Sequence, residues 1–422
     1  MSSPYHAIII GAGPAGASAA ILLARAGWSV ALLEAKPFPR RKVCGECIAA
    51  SNLPLLDALG LGEALRRSAG PELRRVALWY GDEQITAALP ARAAAESPWG
   101  RALGREHLDL LLLERARAAG AIVLQPCRAL TVRRDSSAAV YEVLVAHRGA
   151  KLELRAPVVI RAHGSWQAPP GDGEPWGREH RASDLLAFKA SFRDAGLADG
   201  LLPVLAFAGG YGGMVVASDG LATLACCIRR DRLASCRSAG SGMAGKAGEA
   251  VEAVLRRECR GVREALASAS RVGPWLAAGP IRPGVRLRTA GGGAFLIGNA
   301  AGEVHPIIGE GISMALQSAW LLCEELTGSA DAFRCDARGE LSRREIQRRY
   351  VSRWRANFAQ RLHLAACLAH AAMRPRIATP LLPLLRRAPA LLGLAARASG
   401  KTRTAVALPA EIRPVAIQGS PS

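Results

Sequence analysis

A glycine-rich turn near the start of the chain has the residue types and the spacing that bind a dinucleotide. The turn follows the strand-like run Ile8 to Ile10 and consists of Gly11, Ala12, Gly13, Pro14, Ala15 and Gly16. Gly11 allows a tight turn, Gly13 lets the backbone approach a pyrophosphate, and Gly16 lets the following helix pack on the strand. The next strand ends at Glu34, whose carboxylate can accept hydrogen bonds from ribose hydroxyls. This pattern predicts a nucleotide-binding enzyme.

A second glycine-rich segment joins the predicted strand Phe295 to Ile297 to a predicted helix, Ile312 to Leu326. Its notable residues are Gly298, Asn299, Gly302, His305, Pro306, Gly309, Glu310 and Gly311. The backbone N–H groups of this segment and the helix N-terminus form another candidate anion-binding corner. Two such corners suit a long cofactor with two ends.

These motifs resemble the flavoprotein superfamily of para-hydroxybenzoate-hydroxylase-type monooxygenases and geranylgeranyl reductases, whose third motif reads roughly G-D-A-A-G, then P, then G-x-G. The resemblance implies FAD as the cofactor, with Gly298 and Asn299 at its ribityl and pyrophosphate groups. It also implies that the loop after Pro306, which runs through Gly309 and Gly311 to Ile312, lies beside the isoalloxazine. Asn299 stands where the family usually has aspartate, and asparagine can still hydrogen-bond a ribityl hydroxyl.

Other segments extend the resemblance from about residue 5 to residue 326. Residues 38–46, Phe-Pro-Arg-Arg-Lys-Val-Cys-Gly-Glu, look like the F-P-R-x-K-x-C-G-E segment of the reductase-like branch, which passes near the flavin ring. The resemblance therefore places Arg41, Lys42, Cys44 and Gly45 at the cofactor. Arg105, with Leu108 and Asp109, matches an R-x-x-L-D helix start whose arginine lies against the cofactor. The glycine-flanked Tyr211 resembles the G-G-Y-x-G element of the substrate sheet.

The middle motif of the family is altered in this chain. An Asp-Gly pair contacts FAD and the nicotinamide cofactor in family hydroxylases, whereas His163-Gly164-Ser165-Trp166 stands here. His163 either replaces the aspartate or caps a turn. The chain has one dinucleotide fingerprint, so NADPH or NADH is expected to bind transiently as electron donor, or a partner protein delivers the electrons. The tryptophan pair of flavin halogenases is absent around Tyr211, which argues against halogenation.

Three residues are candidates for catalysis: Cys44, His305 and Tyr211. Cys44 is expected near the flavin, and Cys44 with Cys47 is alternatively a redox dithiol. His305 either transfers a proton during flavin chemistry or hydrogen-bonds its own loop. Tyr211 lines the substrate pocket or simply packs in the sheet.

Two glutamates lie in predicted loops. Glu46 and Glu310 are expected to be exposed loop carboxylates without partners. No set of His, Cys and carboxylate residues has metal-ligand spacing, so no metal site is predicted.

Alternating helical and strand-like patterns predict an α/β fold with a Rossmann-like FAD-binding domain, an interleaved antiparallel β-sheet substrate domain and a helical C-terminal extension. The FAD-binding domain is assigned to residues 1–75, 101–166 and 281–330, the substrate domain to 76–100 and 167–280, and the extension to 331–422. Gly240 to Lys246 partly matches a phosphate-binding loop, but no strand precedes it, so a loop that opens a helix is expected.

Composition limits the expected binding partners and the expected cellular compartment of the protein. The net charge of +20 comes mainly from arginine. The basic C-terminal region of the chain favours contact with a carrier protein or a membrane surface. Nucleic acid is not expected, because no basic cluster alternates with aromatic residues. Ten irregularly spaced cysteines, no signal peptide and no transmembrane-length apolar segment predict a cytoplasmic protein, with peripheral membrane association as the alternative.

These observations predict an FAD-dependent oxidoreductase of the reductase or dehydrogenase type that acts on a small hydrophobic substrate, isoprenoid or polyketide-like. One alternative is a monooxygenase that hydroxylates an aromatic or polyketide substrate through a flavin hydroperoxide. A second alternative is a flavin-binding partner without turnover in a biosynthetic complex. The flavin would supply the redox chemistry in both enzymatic cases, while the protein positions it.

Overall fold

The structure is a computed structural model that describes residues 5–92, 97–135, 139–165, 180–238, 247–287 and 293–402. Within these residues the strands are β1 (Ala7–Ile10), β2 (Val30–Leu33), β3 (Cys47–Ile48), β4 (Arg75–Tyr80), β5 (Glu83–Ala88), β6 (Arg101–Ala102), β7 (Ile122–Leu124), β8 (Cys127–Asp135), β9 (Val140–His147), β10 (Ala150–Ala156), β11 (Val158–Arg161), β12 (Leu185–Arg193), β13 (Leu201–Phe207), β14 (Gly210–Val216), β15 (Ala222–Arg229), β16 (Ser270–Ile281), β17 (Gly284–Val285), β18 (Phe295–Leu296) and β19 (Gly302–Glu303). The α-helices are α1 (Pro14–Arg25), α2 (Leu53–Ala58), α3 (Gly62–Ser68), α4 (Arg105–Ala118), α5 (Arg230–Ser238), α6 (Ala247–Glu258), α7 (Arg260–Ala265), α8 (Gly311–Thr327), α9 (Ala337–Ala372), α10 (Pro375–Arg387) and α11 (Ala390–Ala398).

A parallel sheet of five strands, in the order β18-β11-β1-β2-β7, forms the centre of one part of the molecule, hereafter the FAD-binding half. The apolar run of β1 is buried on both faces, as expected for a central parallel strand. Ile9 faces the core that α1, α4 and α8 share, whereas Ile8 faces the antiparallel sheet β10-β9-β8. The Rossmann-type architecture predicted from the sequence is confirmed.

A second sheet of seven strands, in the order β16-β12-β15-β14-β13-β4-β5, is interleaved in sequence with the first. Its strands pair antiparallel except for β13 and β4, which run parallel. Helices α6 and α7 pack on one face through a core of their own. The sheet therefore combines strands that precede β8 in the chain with strands that follow β11.

Helix α9 closes the molecule on the side of α8. Asp336 caps its N-terminus by accepting a hydrogen bond from the Gly339 amide at 2.9 Å. The apolar stripe predicted from its i+4 spacing is buried against the FAD-binding half and consists of Ile346, Tyr350, Trp354, Phe358 and Leu362. This stripe holds the C-terminal extension on the FAD-binding half.

Within the described residues, no single helix is long and apolar enough to cross a membrane. Helices α10 and α11 reach that length and apolar content only as a pair, which is bent by 112°. The glycine-rich loop predicted around Gly240 to Lys246 lies outside the described residues.

Candidate flavin and substrate site

The first glycine turn is closed too tightly for side chains at two positions. Gly11 has a φ of +104°, which favours glycine, and a Cβ there would lie 2.6 Å from the carbonyl oxygen of Ala162. A Cβ at Gly16 would lie 1.8 Å from the Gly11 carbonyl oxygen. The two glycines therefore let α1 begin directly against β1, with its first-turn N–H groups free of intrahelical partners.

The carboxylate of Glu34 is held at the end of β2 by protein donors. Its Oε2 accepts a hydrogen bond from the Ala12 amide at 3.0 Å, and its Oε1 accepts one from the Lys36 amide at 2.9 Å. The Arg40 guanidinium reaches both oxygens, at 3.0 and 3.2 Å. A ribose hydroxyl would therefore share or displace the contact of Arg40 with this carboxylate.

A largely apolar cavity of about 550 Å³ joins the two glycine corners to the seven-stranded sheet and to helices α9–α11. The predicted cofactor residues that line it are Gly13, Pro14, Ala15, Lys42, Cys44, Gly45, Arg105, Gly298, Asn299, Pro306, Gly309, Gly311 and Ile312. Gly11, Gly16 and Glu34 lie behind this wall. Arg41 also lies outside the wall: it donates to the carbonyl oxygen of Val272 at 3.2 Å and lies 3.6 Å from Glu106.

The glycines of the cavity wall leave space that suits a bound cofactor. A Cβ at Gly45 or Gly311 would meet no atom within 4 Å, and a Cβ at Gly13 would meet only Arg105 Nη2, at 3.8 Å. At Gly164 it would meet only Lys42 Nζ, at 3.5 Å. Exposed backbone at four separate points of one cavity, beside two helix N-termini, fits a long ligand that carries a pyrophosphate.

Two cations face the same region. Arg105 donates two hydrogen bonds of 2.8 Å to the buried Asp109 and also contacts the Cys44 thiol. Burial alone would lower the pKa of Arg105, but the Asp109 carboxylate outweighs it and raises that pKa. Burial, followed by repulsion from Arg105, lowers the pKa of Lys42 to about 8. The cavity thus has one permanent cation and one that releases its proton readily.

The altered middle motif and the altered third motif contact each other. Asn299 donates through Nδ2 to the Ser165 hydroxyl at 2.8 Å, and that hydroxyl donates to Glu303 at 2.6 Å. Arg286 pairs with Glu303 at 2.7 Å and donates to the Asn299 carbonyl oxygen. The buried carboxylate of Glu303 therefore lies close to Asn299, the position where the family has aspartate. Trp166 lies outside the described residues.

The prediction for Glu46 is wrong: its side chain is buried, with only 2% of its surface exposed. It pairs with the equally buried Lys189 of β12, accepts a hydrogen bond from Thr223 of β15 at 2.6 Å, and accepts another from the Arg105 amide at 3.1 Å. Its φ of +58° is rare for a side-chain-bearing residue, and these partners hold it there.

The prediction for Glu310 is wrong as well. This carboxylate is fully buried, 3.4 Å from Lys401 Nζ and 3.7 Å from Arg361. Lys401 also donates to the Gly309 carbonyl oxygen at 3.4 Å. The residues that follow α11 are thereby anchored to the loop that precedes α8.

Tyr211 and His305, both predicted from the sequence, are hydrogen-bonded to each other. The Tyr211 hydroxyl lies 3.0 Å from His305 Nδ1, and the His305 ring stacks edge-on to His370 of α9 with centroids 5.9 Å apart. Tyr211 lines the cavity, His305 lies behind it, and His370 is exposed. These three side chains connect the cavity to the protein surface.

Burial sets the protonation of this trio. Burial and the neighbouring Cys227 raise the pKa of Tyr211, so its hydroxyl stays protonated. Burial, followed by the nearby His370, lowers the pKa of His305 to about 4, so His305 is neutral at pH 7. A neutral imidazole can accept a proton at one nitrogen and donate from the other, which suits a relay.

All ten cysteines are free thiols. Cys44 lies on the cavity wall, where its sulfur accepts a hydrogen bond from the Glu46 amide at 3.3 Å. Burial raises the pKa of Cys47, whose sulfur lies 3.7 Å from Lys401 Nζ. The two thiols are not joined by a disulfide, and the dithiol role stays a prediction.

Sequence reasoning missed Lys189, Thr223, Glu303 and Lys401. Lys189 carried the clearest signal, because a lysine between Phe188 and Ala190 in an apolar strand has no place in a core unless a carboxylate meets it. The other three are ordinary polar residues in sequence, and their partners lie far away along the chain.

Comparisons with known proteins indicate FAD as the cofactor of the N-terminal part. Residues 5–168 match the family model of the FAD binding domain. The menaquinone reductase of Mycobacterium tuberculosis is 32% identical over 174 residues, 41% of each chain. That of Mycolicibacterium smegmatis is 27% identical over 78% of this chain and 77% of its own. A digeranylgeranylglycerophospholipid reductase of Methanoculleus marisnigri is 33% identical over 39% of this chain and 40% of its own.

Solved structures share the fold. The myxobacterial chondrochloren halogenase superposes with a TM-score of 0.73 at 21% identity, over 94% of this chain and 91% of its own. A geranylgeranyl bacteriochlorophyll reductase-like protein of Thermoplasma acidophilum gives 0.63 at 17% identity, over 94% and 99%. The chain spans about two fifths of the first curated relatives it matches. Residues 5–168 are thus similar to an FAD-binding domain, and the chain shares the fold of these solved structures.

Substitutions at two glycines of the first turn should separate folding from cofactor binding. Gly16→Ala should lower the melting temperature of the apoprotein, because its Cβ would overlap the Gly11 carbonyl oxygen, at a cost of about 1–3 kcal/mol or more. Gly13→Ala should leave that temperature unchanged and weaken FAD binding about tenfold or more, because its methyl group points into the cavity. Calorimetry and flavin titration measure both effects. Unchanged FAD affinity in Gly13→Ala would contradict the placement of the cofactor.

The low pKa of His305 should make the fold sensitive to acid. Below pH 6.5 the unfolded chain binds a proton that folded His305 does not take up until about pH 4, so stability is lost as the pH falls through this interval. His305→Gln should reduce the loss between pH 7 and pH 5 by about 2 kcal/mol, measured by urea unfolding. His363→Gln, at an exposed position of α9, is the control and should behave as wild type.

Proposed function

We propose that the chain is an FAD-dependent reductase of a hydrophobic, isoprenoid or polyketide-like substrate. The observation that carries the proposal is an apolar cavity that runs from both glycine corners to the C-terminal helices and has Tyr211 on its wall as the candidate proton donor. Relatives named for menaquinone and for a digeranylgeranyl lipid support the reductase type. The structural neighbours at or below 21% identity support the fold alone.

The chain's residues have distinct parts in this reaction. FAD supplies the electron transfer when bound, with NADPH or NADH as the proposed donor. Gly13 and Gly311 would bind its pyrophosphate and adjoining groups at two helix N-termini, and Arg105 would offset negative charge. The apolar wall excludes water and accepts the hydrophobic part of the substrate.

Reduction of a carbon–carbon or carbon–oxygen double bond adds two electrons and two protons, that is one hydride and one proton, to the substrate. Tyr211 is the candidate donor of the proton, since its hydroxyl is protonated and the residue lines the cavity. His305 would replace the proton that Tyr211 loses, and the His305 ring packs against the exposed His370. Reduced FAD, when bound, would supply the electron pair and the second hydrogen.

The order of reduction and reoxidation tests the reaction type. The purified protein is loaded with FAD and reduced anaerobically with dithionite. A short-tailed menaquinone or a geranylgeranylated glycerolipid is then added without oxygen. A reductase should regain its yellow colour and form reduced product. Reoxidation that requires oxygen and yields a hydroxylated product would favour a monooxygenase instead.

Two further outcomes of this experiment would reject an enzymatic reductase. A flavin that no donor bleaches would indicate a binding partner without turnover. A protein that cannot be loaded with FAD would overturn the flavin assignment itself.

Tyr211→Phe should slow substrate-dependent reoxidation about a hundredfold or more, since it removes the proton donor and little volume. FAD affinity should not change, because the hydroxyl contacts His305 and Cys227 rather than the glycine corners. Tyr350→Phe is the matched control, since this buried tyrosine donates to the Leu296 carbonyl oxygen away from the cavity. Equal rates in both variants would remove Tyr211 from the proposed mechanism.

A further inference from the structure

Helices α10 and α11, hereafter the C-terminal helix pair, have no buried residue. They nevertheless carry eight large aliphatic side chains, and five of them are at least 36% exposed: Ile377, Leu381, Leu384, Leu391 and Leu394. The described residues contain only four other large apolar side chains this exposed, and those are scattered over the molecule. An apolar surface concentrated in this way marks a contact site.

The apolar residues of α10 form one face. Ile377, Leu381, Leu384 and Leu385 follow the spacing i, i+4, i+7 and i+8. Leu381, Leu384 and Leu391 also line the substrate cavity, whereas Ile377 and Leu394 are exposed outside its lining. The C-terminal helix pair is therefore both a wall of the cavity and an apolar outer surface.

The charges around this surface have a single sign. Residues 374–401 contain five arginines and one lysine, and no aspartate or glutamate. Arg386 pairs with Glu83 at 2.7 Å, and Lys401 pairs with Glu310. In the part of the chain that the structure describes, no carboxylate lies within ion-pair distance of Arg374, Arg376, Arg387 or Arg397. Arg374 donates to the His370 carbonyl oxygen at 3.2 Å, so the guanidinium groups of Arg376, Arg387 and Arg397 are the ones available to anions beside the exposed leucines.

The geometry favours a helix pair that lies along a surface. The 112° bend between the two helices prevents a straight span. On the protein side, α10 is held to the edge of the seven-stranded sheet by Arg386 and by the Thr379 hydroxyl, 3.1 Å from that of Tyr80. The opposite side faces outward.

We propose that the C-terminal helix pair docks on an anionic phospholipid bilayer. Ile377 and Leu394 enter the boundary of the acyl chains, and the unpaired arginines bind lipid phosphates. A bilayer satisfies both features, whereas an acidic carrier protein satisfies the charges alone and leaves the leucines in water. This docking is independent of the proposed reaction, since it concerns the outer surface of the protein.

The test is sedimentation of the full-length, FAD-loaded protein with extruded vesicles. We expect binding to equimolar phosphatidylglycerol and phosphatidylcholine, weaker binding to phosphatidylcholine alone, and a loss of this difference in high salt. The double variant Ile377→Glu/Leu394→Glu should bind anionic vesicles roughly tenfold less or weaker still. The triple variant Arg376→Gln/Arg387→Gln/Arg397→Gln should lose the preference for anionic lipid.

The matched control is Leu152→Glu/Leu341→Glu, which places the same charges at equally exposed positions elsewhere. It should bind vesicles as the wild type does, and all variants should keep their flavin absorbance and melting temperature. Equal loss of binding in the control would overturn the proposal. So would a wild-type protein that ignores anionic vesicles and instead binds a purified acidic acyl carrier protein through the same helix pair. Neither result depends on whether the protein reduces a substrate.

Discussion

The buried ion pair between Glu46 and Lys189 is the constraint on which the site depends. A carboxylate and an ammonium removed from water must meet each other with good geometry, since either one alone would cost several kcal/mol. Glu46 also accepts hydrogen bonds from Thr223 and from the first amide of α4. One carboxylate thereby fixes the loop of Cys44 and Gly45, the start of α4 and two strands of the seven-stranded sheet. The cavity wall forms only when all of these meet.

Several buried charges near the site are paired, some with neighbours along the chain and some with distant residues. Glu303 meets Arg286 beside Asn299, and Glu310 meets Lys401 behind the loop that precedes α8. The cavity wall is largely apolar, and its charged residues are Lys42, Glu46, Arg105, Glu303 and Lys401. Glu46, Glu303 and Lys401 therefore hold the structure together and also line the cavity.

Glu46 and Glu310 differ most from what the sequence predicts. Both Glu46 and Glu310 stand beside glycines in predicted loops, and local rules make such residues exposed. Each is buried, because a lysine more than ninety residues away in sequence, at position 189 or 401, lies against it. Local patterns identify a loop and its backbone freedom, but they contain no information about a distant partner. Tyr211 and His305 illustrate the same limit, since both were candidates and only the fold joined them.

The strands of the parallel sheet and the glycine turns are predictable from the sequence alone, and FAD from its resemblance to the flavoprotein family. These depend on short-range requirements, namely apolar runs, positive φ angles and a helix start beside a strand, which residues close in sequence satisfy alone. The tertiary structure decided how the substrate sheet, α9 and the C-terminal helix pair enclose one cavity. It also decided which carboxylates are buried, because burial and pairing of charge are properties of surfaces that come from distant parts of the chain.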